Sequence, residues 1–245
     1  MTARLSLRRS FDVYYRDADR AARMDRLNAM FVGPGDRAFD IGAHVGDRTA
    51  SFRRLGASVV AVEPQPRVFR ALRLIHGRDP LVDLHCAAVG NATGWLDLHV
   101  NTRNPTVSTV SRDMIAAASQ DANWHGQHWD ETIRVPVTTL TALIRRNGPP
   151  EFIKIDVEGH ELDVLNGLDR PVRALSFEFT TIQKDIALAC VARITAIGAY
   201  QFNYSLGEDH HLRLPDWCDA DAMAAILHAL PGDANSGDVY CRVMR

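Results

Sequence analysis

Short apolar runs that alternate with helical stretches from residue 37 to the end of the chain leave few folds open to this sequence. Residues 37–41, 58–63 and 81–89 read as strands, and residues 46–55 and 66–76, between them, read as helices. After residue 138 the rhythm returns with helix 139–146, strand 151–157, helix 160–166, strand 172–179, helix 182–197 and strand 199–205. A helix near 219–229 and a strand at 238–244 close the chain. Strands joined through helices pair in parallel, because the helix carries the chain back to the edge where the first strand began. The expectation is an α/β fold built on a doubly wound, mostly parallel sheet.

Two segments depart from the rhythm. Met24, Leu27, Met30 and Phe31 lie at helical spacing until Gly33-Pro34-Gly35-Asp36 breaks the pattern, so residues 1–35 form a helical lead. Residues 90–138 form an excursion off the sheet after its third strand, a β-hairpin or loop. In it an alternating strand 95–100 and a strand 132–138 flank a Ser/Thr/Asn loop and a polar, aromatic stretch. The 245 residues suit a single domain, 1–245, with the excursion as a candidate substrate lid.

Charge and cysteine usage narrow the setting. A formal net charge of -2 gives no electrostatic reason to expect a nucleic acid partner. The longest apolar run, residues 186–192, falls far short of the roughly 18 residues of a membrane span, and the first residues lack a signal-peptide core, so neither membrane nor export is expected. Cys86, Cys190, Cys218 and Cys241 are widely spaced with no Cys-x-x-Cys pair, which fits a reducing cytoplasm. Among 28 basic residues only Lys154 and Lys184 are lysines, the mark of an arginine-favouring, bacterial type of genome, and this makes Lys154 conspicuous.

The first strand meets the first helix in FDIGAHVGDRT, residues 39–49, where small residues let backbone amides approach a ligand. Gly42 and Gly46 are present, but His44 and Asp47 stand where a dinucleotide fingerprint needs further glycines. Asp40 ends the strand and brings a carboxylate that repels a pyrophosphate and suits a cationic ligand. Glu63 ends the second strand, 21 residues after Gly42, where an acidic side chain can take both ribose hydroxyls of a nucleoside.

A second constellation is KIDVEGHE, residues 154–161. Lys154, Asp156 and Glu158 alternate with apolar residues, so they share one face of strand 151–157. That strand neighbours the first one across the switch point of a doubly wound sheet, where ligands lie beyond the carboxyl ends of the strands. His160 has the unperturbed pKa closest to neutrality and is a candidate general base, with Asp156 as a second candidate. The plainer alternative makes Lys154 and Asp156 a structural pair, and Glu158 and Glu161 acids at a helix start. Ser108 and Thr109 offer hydroxyls from a turn-like loop, Glu178 ends strand 172–179 toward the same edge, and His210-His211 lies in a polar connection read as solvated. NWHGQHW, residues 123–129, reads as a lid or a packed loop. Its two histidines lack a third ligand nearby, so no metal is expected there.

In this order, DIGAHVG, VEPQP, VTTL and FIKIDVEGHELDVLNGL resemble the FkbM family of S-adenosylmethionine-dependent methyltransferases over residues 36–179, with His44 where that family more often has Asn. The resemblance implies a Rossmann-like class I methyltransferase sheet of seven strands with the last antiparallel. It also implies S-adenosyl-L-methionine as cofactor and O-methylation of a hydroxyl on a sugar, polyketide or other small-molecule or glycan acceptor. Carried over by motif, Asp40, Gly42 and Gly46 border the methionine part with His44 lining their loop, Glu63 takes the ribose, and Asp156 stands at the reacting centre beside Lys154, Glu158 and His160. Two alternatives share the architecture: an NAD(P)-dependent oxidoreductase, although no tyrosine here has a lysine four residues later, and a noncatalytic cofactor-binding protein.

Overall fold

Met24 and Leu27 bury the inner face of α1 (Ala18–Asn28), which starts where the Asp17 carboxylate accepts the Arg20 amide. The computed structural model describes residues 16–244, so residues 1–15 of the expected lead lie outside the described residues. Phe31, just past α1, stacks on Phe152 with ring centroids 4.7 Å apart and on Tyr240 at 5.6 Å. The described end of the lead, through Leu27, Phe31 and Val32, therefore belongs to the core on that side of the sheet.

The first half of the sheet follows the expected order: β1 (Arg37–Ile41), α2 (Asp47–Arg54), β2 (Ser58–Val62), α3 (Pro66–His76) and β3 (Val82–His85). The strand expected over residues 81–89 breaks in two, and its second part, β4 (Ala88–Val89), leaves the main sheet. There it joins β5 (Gly94–Val100) and β6 (Glu131–Thr138) in a three-stranded sheet of order β4-β6-β5, with β5 and β6 antiparallel. Leu98, Val100, Val135 and Val137 give this excursion its own small core. Between its strands lies α4 (Arg112–Ala118), absent from the sequence reading because only Met114 and Ala118, one turn apart, mark its buried face.

Beyond α5 (Leu140–Asn147) come β7 (Phe152–Ile155), α6 (Glu161–Asn166), β8 (Ala174–Thr180), α7 (Lys184–Ile197), β9 (Tyr200–Leu206), α8 (Ala220–Ala229) and β10 (Ser236–Val243). The seven-stranded sheet has the order β3-β2-β1-β7-β8-β10-β9. β10 inserts antiparallel between β8 and β9, and the pairings from β3 to β8 are parallel. Alternation splits each strand between two cores: Phe39 and Ile41 face one side of the sheet, and Ala38 faces the other with Phe52 and Phe152. From β1 the chain works outward to β3, then returns to the opposite side of β1 at β7. The crevice between the ends of β1 and β7 is the switch point.

Candidate active site

A cavity opens at that switch point, lined from β1, β2, β7 and the excursion. Asp40 is wholly buried at the end of β1, where the Thr49 hydroxyl donates to its carboxylate at 2.5 Å. Burial pushes its pKa up to about 6, with Thr49 opposing. The chain then turns through Gly42 at φ 84°, and a Cβ there would lie 1.7 Å from the Asp156 carbonyl oxygen. Only glycine lets the ends of β1 and β7 approach so closely.

Glu63 is held by the loop it faces. The His44 amide donates to its Oε2 at 3.0 Å and the Gln65 amide to its Oε1 at 2.7 Å, so both oxygens are oriented and each keeps a lone pair for a ligand. Burial pushes this carboxyl up to about 7 against those two amides. The His44 ring lines the cavity with a pKa lowered by burial. Gly46 does not line it. It starts α2 at φ 86°, and the Leu72 and His76 side chains of α3 occupy the space its Cβ would need.

β7 ends at Ile155, two residues earlier than expected, so Asp156 and Glu158 leave the strand end instead of sharing its face. Glu158 sits at φ 54°, and the Thr109 hydroxyl donates to its carbonyl at 2.6 Å. Lys154, Asp156, Glu158 and His160 all line the cavity. The Lys154 ammonium is buried and donates to Asp238 Oδ1 at 2.7 Å and to Asp156 Oδ2 at 3.3 Å. Burial alone would raise the Asp156 pKa, but Lys154, a hydrogen bond with Glu178 and the charge of Arg48 together hold this carboxylate below its usual range. Burial, then the charge of Asp156, pushes Glu158 and Glu178 well above theirs.

His160 starts α6 with Nδ1 3.2 Å from Asp163 Oδ2, and Asn91 donates to the other oxygen of Asp163 at 2.8 Å. Burial lowers the imidazole pKa while Asp163 opposes, so the ring is neutral near pH 7. Asp163 acts on the ring through its charge, and a neutral imidazole that lines the cavity can serve as a base.

Other sequence expectations fall differently. Trp124 and Trp129 pack against Met114 and Val107 away from the cavity, with Trp129 Nε1 donating to the Val107 carbonyl at 2.8 Å, so the aromatic stretch is a packed loop. The excursion meets the cavity through Thr106, Ser108 and Val110, and Ser108 donates to Gln65 Oε1 at 3.2 Å. His210 is buried where solvent was expected, with Nε2 3.1 Å from Glu208 Oε2, while His211 is exposed. Glu208 also joins Arg20 and Arg48 at 2.6 and 3.1 Å, which ties α1, α2 and the turn after β9 together at the cavity rim. The sequence reading missed Asp163, Glu208 and Asp238, whose partners are remote in sequence or lie on an ordinary-looking helix. Among the described residues no helix is long and apolar enough to cross a membrane.

The methyltransferase FkbM domain matches residues 40–215 of this chain. No curated protein matches it. Among solved structures, a precorrin-6y C5,15-methyltransferase from Geobacter metallireducens GS-15 has a TM-score of 0.50 at 10% identity, with 94% of this chain and 91% of that chain covered. A TehB-like S-adenosylmethionine-dependent methyltransferase from Corynebacterium glutamicum gives 0.47 at 9% identity, with coverages of 96% and 94%. An O-methyltransferase from Bacillus cereus, in complex with S-adenosylhomocysteine, gives 0.46 at 11% identity, with coverages of 99% and 89%. At 10% identity the first of these shows a likeness of fold alone.

Proposed function

The chain belongs to the methyltransferase FkbM family, whose cofactor is S-adenosylmethionine, and from that premise we propose that it methylates a hydroxyl oxygen of a small-molecule or glycan acceptor. The nicotinamide alternative falls away with the family. The residues present fit the cofactor: Glu63 offers two oriented acceptor oxygens for ribose hydroxyls, and Asp40 and Asp156 suit a ligand that carries positive charge.

Bound there, S-adenosylmethionine supplies a methyl carbon activated by its positive sulfur and leaves as S-adenosylhomocysteine. The chain's own part is alignment and proton removal. Holding the acceptor oxygen in line with the methyl contributes up to roughly 7 to 11 kcal/mol in well-oriented reactions. His160 Nε2 takes the hydroxyl proton as the oxygen–carbon bond forms, and Asp163 steadies the imidazolium that results. Asp156, kept ionised by Lys154, orients the acceptor. The excursion residues Thr106, Ser108 and Val110 cover the cavity and exclude water.

The observation that carries this reading is that Glu63 and His160, from the segments that follow β2 and β7 on either side of β1, line one cavity. Thermal melting tests the cofactor part: S-adenosylhomocysteine raises the midpoint and NAD does not. Radiolabelled methyl transfer to hydroxyl compounds tests the rest. The labelled product survives mild alkali as an ether, whereas an alkali-labile product identifies a carboxylate acceptor and removes the hydroxyl assignment.

A further inference from the structure

Asp156, Glu158 and Glu178 come from the turn after β7 and from β8, and one oxygen of each lies within 4.8 Å of the others. Like charges this close are not left facing one another without a counter-charge or a shared proton. The nearby ammonium does not suffice, because Lys154 meets only Asp156 of the three and makes its shorter contact with Asp238.

An accounting of donors points the same way. The Glu158 side chain belongs to a residue only 9% exposed and makes no hydrogen bond or ion pair among the described residues. Glu178 shares a side-chain hydrogen bond with Asp156, itself an acid, and its Oε2 is enclosed without a donor. Beside it, Gln183 Oε1 is a further enclosed oxygen without a donor, in a residue 7% exposed, and it lines a small hollow together with Glu178. Native proteins rarely leave such acceptors unsatisfied. The site is deficient in positive charge and in donors, and it faces the cavity through Asp156 and Glu158.

We propose that Asp156, Glu158 and Glu178 bind one divalent cation of the oxygen-preferring class, Mg2+ or Mn2+, at the acceptor end of the cavity. The ligand set is all carboxylate, which suits hard cations and disfavours zinc or copper. The sequence reading assigned no metal because these ligands are 22 residues apart at the extremes and meet only through the pairing of β7 with β8. Binding of the ion stands on the cluster alone. Its role, holding acceptor oxygens and easing loss of the hydroxyl proton, rests on the methyl-transfer reading.

The test is titration of chelator-treated protein with Mn2+, the free ion being followed by electron paramagnetic resonance, with parallel calorimetry of S-adenosylhomocysteine. The expected result is one Mn2+ per chain with a dissociation constant of roughly 10⁻⁵ to 10⁻³ M. Glu178→Gln and Glu158→Gln each weaken it by at least about tenfold while S-adenosylhomocysteine still binds. In the metal-free state Glu178→Gln melts no lower than the parent, because a neutral amide of the same shape relieves the crowding of three acids, and Mn2+ no longer raises its midpoint. Failure of Mn2+ to bind at about 1 mM while S-adenosylhomocysteine binds overturns the cation site and leaves a shared proton in its place. Equal Mn2+ affinity in parent and variants also overturns it, as binding elsewhere. If neither ligand binds, the cofactor reading of the cavity falls with it.

Discussion

Replacing Lys154 with methionine separates architecture from chemistry at this site. The ammonium lies 2.7 Å from Asp238 Oδ1, and the two side chains are only 4% and 6% exposed. Lys154→Met keeps most of the apolar stem and leaves Asp238 buried on β10 without its cation. Asp156, whose side chain is 33% exposed, can recover solvation from the cavity, so the cost falls mainly on Asp238. Removing one partner of a buried pair costs about 3 to 5 kcal/mol, because the remaining charge has no compensation. For a chain of this size that lowers the melting midpoint by about 6 to 20 °C. Calorimetry and urea denaturation measure it directly. The double variant Lys154→Met/Asp238→Leu regains most of the loss, since an apolar pair of similar volume is often neutral or better. A loss below about 1 kcal/mol in the single variant, or a double variant no more stable than the single, refutes the view that Lys154 is committed to Asp238.

Three further outcomes are expected. Glu63→Ala weakens S-adenosylhomocysteine by about 1.5 to 3 kcal/mol, or roughly ten- to a hundredfold, and unchanged affinity in calorimetry removes the ribose assignment. The raised carboxyl of Glu63, about 7 in the folded state, keeps a proton that the unfolded chain has already lost. Its contribution to stability is therefore complete below the ordinary carboxylate range and is lost as pH rises through about 7, while ligand hydroxyls favour the ionised form, so S-adenosylhomocysteine binds more tightly at pH 8 than at pH 6 and Glu63→Ala flattens that slope. His160→Ala lowers single-turnover rate by about a hundredfold to ten-thousandfold with cofactor affinity unchanged, and equal rates at saturating substrates dismiss His160 as the base.

What the sequence discloses depends on whether a signal is local. Asp40 and Glu63 are legible because a strand end followed by a turn delivers its last side chain to the same edge of the sheet in every doubly wound fold. Gly42 is legible as a glycine, but its reason, the Asp156 carbonyl 1.7 Å from where a Cβ would stand, requires β1 and β7 to be neighbours. Asp238 meets Lys154 across 84 positions because β10 inserts beside β8, and nothing near DVYCRV announces it. His210 looks like half of a solvated pair until Glu208 is seen tied to Arg20 and Arg48. Trp124 and Trp129 leave a lid and a packed loop equally open in the sequence, and it is their packing against the seven-residue α4 that favours the packed loop.

The polar groups around the cavity follow one pattern, and its exceptions carry information. Asp40 is held by Thr49, Glu63 by two amides, Asp156 by Lys154, and His160 by Asp163, which Asn91 holds in turn. Each of these side chains reaches the cavity already oriented by a neighbour that is not itself the reacting group, which limits the reorganisation needed when a ligand arrives. Glu158 has no such neighbour and Glu178 meets only another acid, Asp156, although burial makes a carboxylate without a donor there expensive. Backbone geometry does not excuse them, since Glu158 is pinned through its carbonyl by Thr109 and Glu178 sits within a regular strand. A site that gives every other cavity carboxylate a donor of its own and leaves these two acids without one is where the proposed cation gains most.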